Sequence, residues 1–224
     1  MQKLTILVDM DDVLDDLLPA WVSYLNQTYG TNVTTNDIRS WDMMQSFPHL
    51  TKSQVFSPLD RPDFWDTVRP KEGAADVLQE WIREGHRVLV VTSSHYASIA
   101  AKMTRVLFRY FPFLQWNNVI VTADKTLIKG DILIDDGIHN LAGGDYLKIL
   151  MDAPHNRFYP AAEHGMRRAH SWDEIRALVK LISNTMTWRE RPDVFAEEYL
   201  GIKLMQCQRR ALRMLTAYDP RNTN

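Results

Sequence analysis

Two short apolar runs that stop abruptly at acids constrain this chain more than any other feature. Leu4-Thr5-Ile6-Leu7-Val8 ends in Asp9-Met10-Asp11-Asp12, and Asp131-Ile132-Leu133-Ile134 ends in Asp135-Asp136. Continuous apolar runs of this length, rich in β-branched residues, fit strands buried on both faces of a parallel sheet. In open α/β sheets ligands sit outside the carboxyl ends of the strands, so the acids fall where chemistry is expected.

The rest of the chain repeats the alternation. A helix is predicted over about 16–29, with Leu17, Leu18, Trp21, Leu25 and Tyr29 at helical spacing and Gly30 as the stop. Further helices are predicted from about Gly73 to Arg83, closed by Gly85, and from about Ser98 to Tyr110. Strands are expected at Arg87 to Thr92, Asn118 to Val121 and Lys148 to Met151. Ser171-Trp172-Asp173-Glu174 reads as a capping box opening a helix to about Ile182. The predicted fold class is therefore α/β, a Rossmann-like parallel sheet with helices on both faces. Between Thr31 and Arg69 the texture changes to short polar pieces with Pro48, Pro58 and Pro62 and the aromatics Trp41, Phe47, Phe56, Phe64 and Trp65, the mark of a small helical cap inserted after the first strand. The expected domains are a core of residues 1–15 and 70–184, a cap of 16–69, and a helical tail of 185–224. In the tail Leu204, Ala211, Leu215 and Tyr218 share a helix face with Cys207 or Gln208.

Composition excludes several classes of function. With 26 basic and 28 acidic residues the net charge is −2, so no basic excess exists to bind a long nucleic acid. A single cysteine, Cys207, can build neither an intramolecular disulfide nor a thiolate metal site, which fits a reducing, cytoplasmic setting. No apolar run is long enough to span a membrane or to act as a signal peptide.

Four strand ends carry usable chemistry: Asp9 to Asp12, Thr92-Ser93-Ser94, Lys125, and Asp135-Asp136. They supply carboxylates for a hard cation, hydroxyls and N–H groups near a helix start for phosphate oxygens, and one ammonium. In this order they resemble the four motifs of the haloacid dehalogenase-type phosphatases. Val8 to Leu14, Asp37-Ile38-Arg39-Ser40-Trp41-Asp42, Phe64-Trp65, Asp124-Lys125-Thr126 and Leu133 to Asp136 resemble one branch more closely, the cytosolic and mitochondrial 5′(3′)-deoxyribonucleotidases with their bacterial and phage relatives. The resemblance spans about residues 3–182. It departs at Leu17, where those enzymes tend to carry an aromatic near the substrate, and at Ala123, where some carry a basic residue.

The resemblance implies Mg²⁺-dependent hydrolysis of a deoxyribonucleoside monophosphate, with a homodimer implied by the family alone. Asp9 is the expected nucleophile, forming an aspartyl-phosphate. Asp11 is the expected general acid and base, work worth about 10²- to 10⁴-fold. A cation bridging carboxylate and phosphate removes the repulsion between them. Asp9, Asp11 through its carbonyl, and Asp136 are its expected ligands, with Asp135 supporting. Thr92, Ser93 and Lys125 are expected to hold the phosphate, and Leu17, Phe64 and Trp65 to wall the nucleoside. Lys129 is set aside, because the family places its lysine ten residues before the acid pair, as Lys125 stands before Asp135.

Blander readings compete. Asp12, Asp15 and Asp16 read as solvated or helix N-terminal charges. Phe64 and Trp65 could be cap core. His95, His139 and His155 lack metal-ligand spacing, so no zinc site is expected. The same motifs would serve another small phosphomonoester, since the cap alone selects the leaving group. Asp193 to Leu204, followed by Gln208, faintly resembles the segment before the nucleotide-binding loop of phage terminase large subunits, although no Walker loop follows. A phage-type binding module with a vestigial phosphatase core is therefore the alternative from a different class, while a tail helix packing on the domain or on a second subunit is the plainer reading.

Overall fold

The computed structural model describes residues 2–217, so Tyr218 of the predicted tail face lies outside them. Six strands, β1 (Thr5–Val8), β2 (Arg87–Thr92), β3 (Val119–Val121), β4 (Ile132–Asp135), β5 (Leu147–Met151) and β6 (Met166–Ala169), form one sheet in the order β3-β2-β1-β4-β5-β6. Every pairing is parallel. The chain winds outward from β1 through β2 and β3, then crosses to β4 and winds the other way. The direction reverses between β1 and β4, and such a switch opens a crevice at the carboxyl ends of those two strands.

The helices are α1 (Leu17–Tyr29), α2 (Lys52–Phe56), α3 (Ala74–Arg83), α4 (Tyr96–Lys102), α5 (Phe108–Tyr110), α6 (Ile138–Leu141), α7 (Trp172–Glu190), α8 (Pro192–Glu198) and α9 (Gln206–Ala217). Gly30 ends α1 in the left-handed conformation, φ +67°, and returns its N–H to the Asn26 carbonyl. Short 3₁₀ turns at Thr35–Asp37, Met43–Gln45, Ser57–Asp60 and Pro62–Asp66 fill the stretch between α1 and α3. The helix expected over 98–110 begins earlier, at Tyr96, and α4 gives way to a π turn over Met103–Leu107 before α5.

The described residues divide into two compact units, 4–175, and 2–3 with 176–217. In the first, Leu7, Leu89, Val91, Leu133, Leu150 and Met166 from five strands pack with Leu141, Tyr146 and Ala161 into an apolar cluster. In the second, Gln2 is clasped by the hydroxyl-bearing turns of α7. Its N–H donates to Thr187 Oγ1 at 2.7 Å and its carbonyl accepts from Ser183 Oγ at 2.8 Å. α7 runs to Glu190, past its expected end at Ile182. Asp193 sits between Arg191 and Arg213, which hold its carboxyl well below the usual carboxylate range. Of the predicted tail face, Cys207, Gln208 and Ala211 are exposed, and Leu204 is half-buried and precedes α9. No helix among the described residues is long and apolar enough to cross a membrane.

β6 went unpredicted because its sequence, Met-Arg-Arg-Ala, has no apolar run. Arg168 is accommodated by carbonyls and carboxylates: its guanidinium donates to Asp152 Oδ1, to Asn156 Oδ1 and O, and to the Tyr159 carbonyl.

Leu133 is fully buried in the sheet cluster, so Leu133→Ala is expected to lower unfolding free energy by about 2–5 kcal/mol. Chemical denaturation checks this, and a loss under about 1 kcal/mol would contradict the packing described.

Candidate active site at the β1 and β4 strand ends

The ladder between β1 and β4 continues one residue past β1, where the Asp9 N–H donates to the Ile134 carbonyl at 2.9 Å. Asp9 and Asp135 thereby leave adjacent strands side by side. The chain then curls around the Met10 carbonyl, which accepts from the N–H groups of Val13, Leu14 and Asp15. This curl needs Asp12 at φ +55°, an uncommon conformation that Asp tolerates better than most residues. Asp12 then caps α1, its Oδ1 accepting from the Leu18 N–H at 2.9 Å. Asp16, beside the helix start, pairs instead with Lys71 at 2.7 Å.

Carboxylate oxygens of Asp9, Asp135 and Asp136, all buried, lie within 4.8 Å of one another. Three like charges this close repel strongly in a low-dielectric setting, and only nearby positive charge makes the arrangement tenable. Lys125 supplies part of it, its Nζ lying 2.6 Å from Asp9 Oδ1 and 2.6 Å from Asp135 Oδ2. Burial alone would push the Lys125 ammonium down, but the two carboxylates outweigh it and hold it above the usual lysine range.

The paired acids at the β4 end differ in what they have left to offer. Asp135 is fully engaged, with Oδ2 on Lys125 and Oδ1 accepting from the Gly137 N–H at 2.7 Å and Asn140 Nδ2 at 3.0 Å. Asp136 keeps Oδ1 buried without a hydrogen-bond partner, while Oδ2 lies 3.3 Å from His155 Nε2. An orphaned buried carboxylate oxygen within a cluster of hard oxygen donors fits a hard divalent cation. Asp135 belongs to the cluster by distance, but its committed oxygens make it the brace and Asp136 the open donor. Burial, then the charge of Asp9, pushes Asp136 well above the usual carboxylate range.

A second ammonium, which the sequence did not point to, adds positive charge beside Asp11. Lys102 on α4 is 1% exposed and reaches Asp11 Oδ2 at 2.6 Å, Thr92 Oγ1 at 2.7 Å and Ser94 Oγ at 2.8 Å. The signal that could have found it is its place on a helix stripe with Ser98 and Val106, four residues to either side and both buried. Thr92, expected on the phosphate, is fully buried, accepts from Lys102 with its Oγ1 and lines neither cavity described next.

A cavity of about 490 Å³ opens over the cluster, its floor formed by Asp9, Asp11, Ser93, Lys125 and Asp136. Its apolar wall is Leu17, Leu18, Trp21, Ile38, Trp41, Met43, Phe56 and Leu59. A smaller one of about 300 Å³ shares Asp11, Leu17, Phe56, Leu59 and Ser93, and adds Trp65, His95, Ser98 and Lys102. Leu17 is therefore at both cavities and Trp65 at the smaller. Phe64 is at neither: it is 1% exposed, packed edge-on to Tyr24 and Trp65, so the bland reading as core is the correct one. Trp41, not singled out from the sequence as a site residue, stands at the larger cavity with edge-on contacts to His139 (4.8 Å between centroids) and His155 (5.0 Å). Burial pushes both histidines below their usual range.

Asp12 is the helix N-terminal charge that one of the two expectations described, whereas Asp15 is neither solvated nor at a helix end. Asp15 is fully buried with Oδ2 unpartnered, and burial, then the charge of Asp11, pushes it well up. Burial, then the charge of Asp136, pushes Asp12 up to about 8. Lys129 is exposed, as its exclusion requires.

Comparison with known proteins agrees with this geometry. Residues 3–186 match the family described as 5′ nucleotidase, deoxy (pyrimidine), cytosolic type C. A 5′(3′)-deoxyribonucleotidase of Bacillus subtilis is 39% identical over 175 residues, 77% of this chain and 96% of that protein. One from Clostridium acetobutylicum is 29% identical over 184 residues, 82% of this chain and 99% of its own length. Among solved structures, a haloacid dehalogenase-like protein of Agrobacterium tumefaciens superposes with a TM-score of 0.56 at 15% identity, covering 81% of this chain and all of its own, a likeness of fold.

The raised acids make stability depend on pH and on cation. A carboxyl whose folded value lies above its unfolded one stabilises the fold at low pH, and that stability is lost as pH rises through the folded value, about 8 for Asp12. His139 and His155, pushed down, act oppositely but only below their unfolded value of about 6.5. Between about pH 6.5 and pH 8 the acids therefore act alone, and in a chelator Tm is expected to fall by about 2 °C or more. A divalent cation neutralises the same charges, so its addition should raise Tm more at the upper pH. A chelated Tm that is flat or rising across that window would contradict the account.

Proposed function

This chain belongs to the cytosolic type C 5′ nucleotidase, deoxy (pyrimidine) family, and on that footing we propose that it hydrolyses deoxyribonucleoside monophosphates to nucleoside and phosphate. The observation that carries the reading is the meeting of two environments. The Asp9, Lys125 and Asp136 cluster forms the floor of a cavity whose wall is apolar and far larger than a phosphate needs.

Asp9 is read as the nucleophile: one of its oxygens attacks phosphorus while the bond to the leaving oxygen breaks, giving an aspartyl-phosphate. Asp11 gives its proton to the leaving oxygen and later takes one from the water that cleaves the aspartyl-phosphate. Burial pushes Asp11 up against the pull of Lys102, which favours the protonated form the first step needs. Lys125 spends two of its three hydrogens on Asp9 and Asp135, leaving one for a phosphate oxygen. Ser93 stands on the cavity floor as the hydroxyl for another. Asp9, Asp136 and the Asp11 carbonyl would hold Mg²⁺, and the ion supplies charge neutralisation between carboxylate and phosphate dianion.

The apolar wall comes from residues 16–69, which supports reading that segment as a cap that selects the leaving group and excludes water from the site. Trp41, Phe56 and Leu17 are the surfaces offered to the nucleobase, in place of Phe64. A cytoplasmic setting fits a free, exposed Cys207.

Phosphate release from a panel of deoxy- and ribonucleoside monophosphates and sugar phosphates, with Mg²⁺ or chelator, tests the reading. Deoxynucleotide turnover that requires the cation is expected, together with a fall of at least about 10³-fold in Asp9→Asn. Trp41→Ala is expected to raise KM for deoxynucleotides about 10-fold with little change in kcat. Turnover confined to sugar phosphates would reject the nucleoside assignment, and none at all would favour a binding module.

A further inference from the structure

Lys102 has no hydrogen left for substrate. An ammonium carries three N–H donors, and Asp11 Oδ2, Thr92 Oγ1 and Ser94 Oγ accept at 2.6, 2.7 and 2.8 Å. The Trp65 ring lies 5.8 Å from the same nitrogen. Burying an ammonium costs several kcal/mol unless its partners are well placed, so a lysine here must do something an apolar side chain of similar length cannot. The backbone singles it out as well. α4 ends at Lys102 and the chain passes into the π turn Met103–Leu107, a rare form found frequently at functional sites.

The effect on Asp11 is asymmetric. Oδ2 is occupied by the ammonium, while Oδ1 is buried and has no hydrogen-bond partner among the described residues. Asp11 lines both cavities. We infer that Lys102 is a positioning residue that clamps Oδ2 and thereby presents Oδ1 of Asp11 as the oxygen that exchanges the proton with the leaving group. An oxygen that accepts from an ammonium is a poor place for a proton, so the proton resides on Oδ1. As the phosphorus–oxygen bond breaks, its electron pair stays on the leaving oxygen, which takes the Oδ1 proton. Lys102 keeps all three of its own, and its charge stabilises the carboxylate left on Asp11. Lys125 and Lys102 thus divide the work, one on the nucleophile and phosphate, the other on the acid.

This rests on the reading of Asp11 as general acid, and the test separates the two. In the full-length chain, kcat/KM is measured for a deoxynucleoside monophosphate, whose alkoxide needs a proton to leave, and for p-nitrophenyl phosphate, whose phenolate does not. The ratio kcat/KM reports the steps up to departure of the leaving group. Lys102→Met is expected to lower it about 10²-fold for the nucleotide and less than about 10-fold for the aryl ester, with KM for the nucleotide nearly unchanged. Ser94→Ala, a milder change that loosens the clamp, should show the same split at about 5-fold, and it stands in if Lys102→Met does not fold. Equal losses on the two esters, or none, would overturn the inference. Asp11→Asn is run beside them. If it discriminates between the esters and the Lys102 and Ser94 variants do not, only the clamp falls. If Asp11→Asn does not discriminate, the acid reading falls and the clamp with it.

Discussion

Bringing Asp9, Asp135 and Asp136 within 4.8 Å of one another costs electrostatic energy that the fold must offset. The sheet imposes the closeness: β1 and β4 are adjacent and parallel, and both end in acid at the point where the winding direction reverses. The buried ammonium of Lys125 offsets part of the repulsion. The remainder stays as carboxyl groups pushed above their usual range and as an unpartnered oxygen on Asp136. A site in that condition is complementary to additional positive charge. A divalent cation fits such a site, and its binding would add to the stability of the folded state.

The site differentiates residues that look alike. Asp135 and Asp136 are neighbours in sequence, yet one is saturated by Lys125, Gly137 and Asn140 and the other holds an open oxygen. Backbone placement maintains the difference, since the Asp136 carbonyl accepts from Asn156 Nδ2 at 2.9 Å and Asn156 is in turn gripped by Arg168. Lys125 and Lys102 divide in the same way, one with a hydrogen to spare and one without. Environment sets these roles, and residue type alone does not.

The strands and their acidic ends were legible in the sequence because burial on both faces writes a continuous apolar run and the following acids interrupt it. Lys125 was legible through its ten-residue spacing to Asp135. Lys102 was not, because its chief partner, Asp11, lies 91 residues away and only the folded sheet brings them together. Asp15 looked like a surface acid for the same reason, as its burial is created by the curl around Met10 and by the bridge to Pro70. Phe64, expected at the nucleoside, is buried away from both cavities, whereas Trp41, for which no site role was expected, lines the larger one. Both are aromatics in the inserted stretch, where 3₁₀ turns give no long period from which to tell an inward face from a cavity face. β6 was hidden because two of its four residues are arginines, Arg167 exposed and Arg168 half-buried on hydrogen bonds, which leave no hydrophobic trace.

The proposed hydrolysis depends on a carboxylate oxygen of Asp9 forming the bond to phosphorus. Mixing the protein with a deoxynucleoside monophosphate and cation, quenching in acid during turnover and locating the added phosphoryl group by peptide mass spectrometry tests this directly. An acid-stable, base-labile phosphoryl group is expected on the peptide containing Asp9 and is expected to be absent from Asp9→Asn. Turnover with that peptide unmodified, or with the phosphoryl group on another residue, would contradict it.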